Sequence, residues 1–167
     1  MSAAKKSTTG SAPQPPLVLV VDDFEDNRTM YLEFLEFNGF RVAEAVNGQE
    51  AVDRAIELMP AVVVMDLSLP VMDGWEATRR LKANPKTKDI IVIALTGHAE
   101  AAHAKRARDA GCDDFVAKPC LPEELAAKVR AHVARAANGG KAPAKSATGR
   151  NKKHETGSNK KFEKGSK

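Results

Sequence analysis

The chain is organised around the stretch Ala61-Val62-Val63-Val64-Met65-Asp66-Leu67-Ser68-Leu69-Pro70, in which a valine-rich apolar run leads directly into a carboxylate. An unbroken apolar run of this length, ended by Pro70, is typical of a strand that is buried on both faces of a parallel sheet. Asp66 would then lie at the carboxyl end of the strand, where open α/β sheets build their ligand sites. A lone aspartate in this position often does no more than cap a turn, so the other strand ends must decide between the two interpretations.

Four more segments have the composition of strands, and helical patterns separate them. Leu17–Val21 and Ile90–Leu95 are fully apolar, Phe40–Ala45 is more polar and predicts an exposed edge strand, and Phe115–Ala117 is short. Strand and helix thus alternate five times. This alternation predicts an α/β fold with a doubly wound, five-stranded parallel sheet and helices on both of its faces.

Apolar residues at helical spacing predict which faces of the helices are buried. The predicted stripe of the first helix consists of Met30, Tyr31, Phe34, Leu35 and Phe37, that of the second of Ala51, Val52, Ala55, Ile56 and Met59, and that of the last of Leu125, Val129 and Val133.

The charges divide the 167 residues into three parts. The net charge of +4 combines +2 in residues 1–16, −5 in residues 17–137 and +7 in residues 138–167. Residues 1–16 lack apolar periodicity and end in Pro-Gln-Pro-Pro, so we expect a disordered leader before one globular domain at 17–137. Residues 138–167 contain Phe162 as their only large apolar residue and are predicted to be a disordered basic tail.

Composition argues against several classes of protein. No apolar run approaches the ~18 residues that a membrane helix needs, and the N-terminal residues lack the apolar core of a signal peptide. Cys112 and Cys120 match neither a zinc site nor a redox motif, which leaves a reducing, cytoplasmic location as the expectation. The absence of G-x-x-x-x-G-K excludes a P-loop nucleotidase, and Asp22 and Asp23 after the first strand would repel the phosphate of a flavin.

Polar groups also follow the other apolar strands. Asp22 and Asp23 follow the first strand, Thr96 the fourth and Lys118 the fifth, and the carboxyl ends of parallel strands share one edge. Two carboxylates about 4 Å apart repel by about 4 kcal/mol at an effective dielectric constant near 20, so a cluster with Asp66 needs a cation or a shifted pKa. Oxygen ligands in an open site suit Mg²⁺. A cation, a lysine and a hydroxyl around one carboxylate suit phosphoryl transfer with aspartate as the nucleophile.

Four short motifs carry these residues in order and at fitting spacing over about residues 17–136: Val21-Asp22-Asp23, Met65-Asp66-Leu67 with Pro70 and Asp73-Gly74 after it, Leu95-Thr96-Gly97, and Ala117-Lys118-Pro119. Together they resemble the response-regulator receiver domain, the CheY-like family. The resemblance implies a flavodoxin-like (βα)5 fold. It also implies that Asp66 accepts a phosphoryl group from a phosphohistidine on a sensor histidine kinase or phosphotransfer protein.

The resemblance assigns roles to the residues around Asp66. Asp23 would bind Mg²⁺ directly, Asp22 would bind it partly through water, and Ser68 would contribute its backbone carbonyl. Lys118 and Thr96 would bind the phosphoryl oxygens.

Further positions of the family's pattern concern the response to phosphorylation. Phe115 falls on the aromatic switch position, which works together with Thr96, and lacks the hydroxyl that tyrosine would bring. Ser68 and His98 would face the phosphoryl group and help to set its lifetime. The bond between Lys118 and Pro119 is usually cis in the family.

Two functions of different classes remain open. The first is a stand-alone phosphorylation switch rather than an enzyme, since no second apolar-periodic segment follows Ala137. It would signal to an output protein through the face made by the last two helices and the last strand. The alternative is a nucleic-acid-binding or polyanion-binding protein that acts weakly and without sequence preference through its basic tail.

Deletion of residues 138–167 should leave phosphorylation of Asp66 unchanged, because every predicted site residue lies within 17–137. The basic tail has two possible partners, the acidic surface of its own domain or an external polyanion such as nucleic acid. If the tail binds an external polyanion, DNA affinity should be weak and should fall steeply with salt, since each phosphate contact adds ~0.9 to the log–log slope. Mass spectrometry of the truncated protein and DNA titrations at several salt concentrations check both expectations. A truncated protein that accepts no phosphoryl group would show that the tail belongs to the switch.

Overall fold

The computed structural model describes residues 14–97 and 101–139. Within them, five strands alternate with five helices: β1 Leu17–Val21, α1 Glu25–Phe37, β2 Arg41–Ala45, α2 Gly48–Leu58, β3 Val62–Asp66, α3 Gly74–Ala83, β4 Ile91–Thr96, α4 Ala101–Ala110, β5 Asp114–Ala117 and α5 Pro122–Ala137. The strand predicted before Asp66 is present as β3. The other four predicted strands begin and end within one residue of their predicted bounds.

All five strands are parallel and lie in the order β2-β1-β3-β4-β5. This arrangement confirms the predicted doubly wound α/β fold. The two edge strands are β2 and β5, and the mixed burial of β2 agrees with its prediction as an exposed edge. Every residue of β3 is buried, because this strand lies at the centre of the sheet and is covered on both faces.

Successive side chains of β3 contribute to cores on opposite faces of the sheet. Val64 belongs to the cluster that contains Leu35 of α1 and Leu125 of α5, whereas Met65 belongs to the cluster that contains Leu81 of α3. Burial of each such side chain stabilises the fold by about 1.5–3 kcal/mol. The two cores therefore hold β3, and with it Asp66, in a fixed position.

The predicted stripes of α1 and α2 are wider than the faces that these helices bury. Met30 and Phe37 of α1 are 39% and 90% exposed, although Leu35 is buried. Ile56 of α2 and Met59 at its end are likewise 38% and 50% exposed. Burial of these four residues was a wrong prediction. Neighbouring residues of a helix point about 100° apart, and α1 buries Tyr31 rather than Met30, while α2 buries Ala55 rather than Ile56. Phe37 is the last residue of α1, and Met59 follows the end of α2.

Two glycines allow the loops at the carboxyl edge of the sheet to pack closely. A Cβ atom on Gly74 would collide with the backbone carbonyl of Asp66, and one on Gly48 would collide with that of Met72. The backbone N–H of Gly48 also donates a hydrogen bond to the Met72 carbonyl at 3.1 Å. The start of α2 therefore supports the β3–α3 loop, which follows directly after Asp66.

Some predictions fall on residues that the structure does not describe. His98 lies between the two described ranges, and most of the predicted leader and tail lies outside them. No helix of the described residues is long and apolar enough to cross a membrane.

Candidate functional site

The parallel sheet brings four of the predicted residues to one edge. Asp22 follows β1, Asp66 ends β3, Thr96 ends β4 and Lys118 follows β5. The backbone N–H of Lys118 donates to the Thr96 carbonyl at 2.7 Å, so the chain beyond β5 stays in register with the end of β4. The juxtaposition predicted from the strand ends is therefore present.

Lys118 joins two of the carboxylates. Its Nζ donates to Oδ2 of Asp22 at 2.8 Å and to Oδ2 of Asp66 at 2.7 Å. Asp22 has no exposed surface and Asp66 is only 5% exposed. Removal of one partner from a buried ion pair typically costs about 3–5 kcal/mol, because a buried charge is left without compensation. Lys118 is thus a structural requirement of the cluster as well as a candidate contact for a phosphoryl group.

Burial and ion pairing act in opposite directions on the pKa values of this group. Burial raises the pKa of Asp66 above its ordinary 3.8, even though hydrogen bonds from Lys118 and the Ser68 backbone stabilise the charged form. Burial lowers the pKa of Lys118, but its hydrogen bonds to Asp22 and Asp66 prevail and leave that pKa above its ordinary 10.5. Lys118 is therefore charged at neutral pH, whereas Asp66 is neutralised more easily than an exposed aspartate.

Three carboxylates form a group that could hold a metal ion. Asp22, Asp23 and Asp66 each offer an oxygen atom, and these atoms lie within 4.8 Å of one another. Both oxygens of Asp22 already accept hydrogen bonds, one from the Phe24 backbone N–H at 2.9 Å and one from Lys118. Asp23, in contrast, is exposed. An open group of oxygen ligands suits Mg²⁺, which binds few carboxylates and retains several waters. The donor set therefore fits Mg²⁺, and Asp23 is more accessible than Asp22 for direct contact.

The β3–α3 loop is anchored at Asp66 itself. The backbone N–H of Ser68, an exposed residue, donates to Oδ1 of Asp66 at 2.9 Å. Farther along, Val71 has a φ of +66°, and the Met72 N–H donates to the Pro70 carbonyl at 2.7 Å in a tight three-residue turn. A β-branched residue in this region of φ is strained, typically by about 1–3 kcal/mol. The loop that carries the predicted Ser68 carbonyl ligand is thus held in an unusual conformation.

The predicted switch residues occupy different environments. Thr96 is 7% exposed at the end of the inner strand β4, and Phe115 is 40% exposed on the edge strand β5. The bond between Lys118 and Pro119 is cis, as the resemblance implied. His98 lies outside the described residues.

Sequence reasoning missed Arg28, which reaches the site from α1. Its Nη1 donates to the backbone carbonyl of Asp22 at 3.0 Å, and its Nε donates to Glu44 of β2 at 2.7 Å. In the sequence Arg28 is only a polar residue one turn into a helix. No spacing rule links it to a strand end, although its closeness to Asp22 and Asp23 was a possible signal.

A second polar group that the sequence did not reveal lies beside Phe115. The carboxylate of Asp114 accepts hydrogen bonds from Lys128 Nζ at 3.1 Å and pairs with His132 Nε2 at 3.0 Å. Burial raises the pKa of Asp114, but the hydrogen bonds from His132 and Lys128 outweigh this effect and lower it overall. The group ties α5 to the edge strand β5. His132 is buried without being apolar, so the helical apolar pattern could not identify it.

Comparison with known proteins identifies the class to which this fold and site belong. The family model of the response regulator receiver domain matches residues 18–130. The chain therefore belongs to the receiver-domain family of two-component response regulators, and the predicted resemblance is confirmed. Phosphoryl transfer is the general role of this family, and its members bind Mg²⁺ at an acidic pocket.

Individual relatives agree with this assignment. The polar-differentiation response regulator DivK of Brucella anthropi is 35% identical over 105 residues, which cover 63% of this chain and 85% of DivK. The transcriptional regulatory protein SrrA of Staphylococcus aureus is 35% identical over 114 residues, or 68% of this chain, but this chain spans only 46% of SrrA. The structure of the chemotaxis protein CheY4 of Vibrio cholerae matches with a TM-score of 0.67 at 26% identity, covering 70% of this chain and 98% of CheY4.

Asp66→Asn should stabilise the metal-free protein at neutral pH, because burial disfavours the charged form of Asp66 and Lys118 keeps its ion pair with Asp22 in the variant. Below about pH 3.8, the ordinary pKa of aspartate, Asp66 is protonated in both the folded and the unfolded protein. In that range it does not change the free energy of unfolding with pH. Because folding raises the pKa of Asp66, the folded protein keeps this proton at pH values where the unfolded protein has lost it. The wild type therefore loses stability as the pH rises from about 3.8 to the raised pKa of Asp66 in the folded protein.

The free energy of unfolding, measured with urea at a series of pH values, checks this expectation. The advantage of Asp66→Asn should grow from acid to neutral pH and then level off. Asp89→Asn, a substitution at an exposed position, is the matched control. An advantage that is independent of pH, or one that shrinks towards neutral pH, would contradict the direction assigned to the pKa of Asp66.

Proposed function

We propose that this protein is a response regulator that accepts a phosphoryl group on Asp66 from the phosphohistidine of a sensor histidine kinase or phosphotransfer protein. The observation that carries the proposal is the pairing of Lys118 with both Asp66 and Asp22, beside the exposed Asp23. This arrangement supplies a nucleophile, a positive charge and metal ligands in one open site at the end of a buried strand.

In the proposed reaction a carboxylate oxygen of Asp66 attacks the phosphorus atom. The new O–P bond forms as the P–N bond to the partner's histidine breaks, and the imidazole leaves with the bonding electron pair. Mg²⁺, when bound, would neutralise charge on the phosphoryl oxygens. Asp23 and the Ser68 carbonyl would hold it with Asp66, and Asp22 would contribute through water.

Besides pairing with the carboxylates of the free protein, Lys118 is proposed to take part in the reaction. In the free protein its Nζ already lies 2.7 Å from Asp66. It can therefore follow the charge from the carboxylate to the phosphoryl oxygens with little movement, which is how a preorganised cation stabilises developing charge. Thr96, at the adjacent strand end, is proposed to donate its hydroxyl to the same oxygens. Ser68 and His98 are proposed to modulate the lifetime of the phosphoryl group.

The proposed output is a change of surface rather than an enzymatic reaction on another substrate. A phosphoryl group brings a charge of about −1.5 to −2. We propose that it draws Thr96 inward and frees space for the ring of Phe115, which changes the face formed by α4, β5 and α5 for an output protein. The proposed location is the cytoplasm, which the two free thiols Cys112 and Cys120 support.

Acetyl phosphate with Mg²⁺ should add one phosphoryl group to the wild type and none to Asp66→Asn. Asp66 is the carboxylate at which the buried strand, the lysine and the metal ligands converge. Intact-mass spectrometry checks the result. Asp73→Asn, which alters another aspartate of the same motif, is the control and should still be labelled. Equal labelling of Asp66→Asn and the wild type would refute the assignment.

Thr96→Ala should accept the phosphoryl group but lose phosphorylation-dependent binding of the output partner. The reason is that removal of the hydroxyl uncouples the phosphoryl oxygens from Phe115 in the proposed switch. The check is a pull-down with phosphorylated and unphosphorylated protein, with Thr29→Ala, at an exposed position of α1, as the control. If Thr96→Ala discriminates the two states as well as the wild type, the signal travels by another route.

A further inference from the structure

We propose that Arg28 is a positioning residue that sets the Mg²⁺ affinity of the carboxylate group by fixing the peptide between Asp22 and Asp23. The inference rests on the Mg²⁺ site proposed above. It assigns a function to a side chain whose hydrogen bonds go to the Asp22 backbone carbonyl and to Glu44.

Arg28 connects the end of the inner strand β1 to the edge strand β2. Its Nη1 donates to the Asp22 carbonyl at 3.0 Å, and its Nε forms an ion pair with Oε2 of Glu44 at 2.7 Å. Only 12% of the Arg28 side chain is exposed, compared with 51% of the Glu44 side chain. Two bonds from one planar guanidinium group fix its orientation, which a lysine could not reproduce.

The carbonyl that Arg28 binds belongs to the peptide that leads into Asp23. The rest of Asp22 is already held in place: its N–H donates to Ala45, Oδ1 accepts from Phe24 and Oδ2 accepts from Lys118. Arg28 completes this set at the carbonyl. Rotation of the peptide would move the exposed Asp23, so the guanidinium group fixes the residue that is most accessible to the metal.

The charge of Arg28 and its hydrogen bond should affect Mg²⁺ in opposite directions. A positive charge near the carboxylates repels a cation, so a purely electrostatic role predicts tighter binding by a few-fold once the charge is removed. A positioning role predicts weaker binding, since loss of a residue that orients metal ligands typically lowers affinity about 10–100-fold. The sign of the change therefore separates the two roles.

The test is calorimetric titration of Mg²⁺ into the metal-free full chain. Arg28→Met should weaken binding about 10-fold, and Arg28→Lys, which keeps the charge but not the paired bonds, should weaken it several-fold. Arg54→Met is the matched control and should stay within about two-fold. It removes a positive charge and an ion pair with Glu50, and that ion pair lies within α2 rather than at the β1–α1 turn.

Amide hydrogen exchange without metal gives a second readout. The Phe24 N–H, bonded to Asp22, should exchange faster in Arg28→Met, whereas the Ser68 N–H, bonded to Asp66, should be unchanged. If Arg28→Met does not fold, the Mg²⁺ titration of Arg28→Lys tests the inference. Unchanged or tighter Mg²⁺ binding by the Arg28 variants, or an equal shift in Arg54→Met, would overturn the inference. Absence of Mg²⁺ binding by the wild type would instead refute the proposed metal site.

Discussion

The ion pairs of Lys118 with Asp22 and Asp66 are the interaction on which the rest of the site depends. Two buried carboxylates at one sheet edge repel each other, and Lys118, at 2.8 and 2.7 Å, is the cation that the described structure places between them. Even so, burial keeps the pKa of Asp66 raised. The lysine therefore makes the cluster possible without fully stabilising its charged form. The proposed Mg²⁺ and phosphoryl group would each change a charge balance that is still incomplete.

The fold makes the close placement of Lys118, Asp22 and Asp66 possible. A central parallel strand covered on both faces cannot shift along its axis without exposing two cores, so Asp66 is fixed by the packing of β3. The glycine at position 74 lets the next helix begin directly beneath the Asp66 carbonyl. Polar chemistry in an interior requires such rigidity, because a small displacement of one charged group would leave the others without a partner.

The sequence predicted those parts of the molecule that follow from periodicity and topology. Apolar runs identify strands, and parallel strands place their carboxyl ends together, so Asp66 and Lys118 could be grouped although they are 52 residues apart. Long side chains that cross between elements follow no such rule. Arg28 and the buried His132 were missed because their partners are set by side-chain reach in three dimensions. The exposure of Phe37 shows the opposite error, in which an apolar residue was assigned to the core although it points away from it.

The opposite edge of the sheet constrains how a signal can leave the site. There Lys82 Nζ donates to the Ile90 carbonyl at 2.8 Å and to Asp113 at 2.7 Å, and Asp113 also accepts from the Val92 N–H at 2.8 Å. These bonds hold the beginning of β4 against α3 and the segment before β5. Because β4 is fixed at its start and buried from Val92 onwards, Thr96 at its end cannot respond to a new charge by sliding of the strand. The proposed response would therefore consist of side-chain and loop rearrangement at the carboxyl edge, towards the less buried strand β5, where Phe115 is already partly exposed.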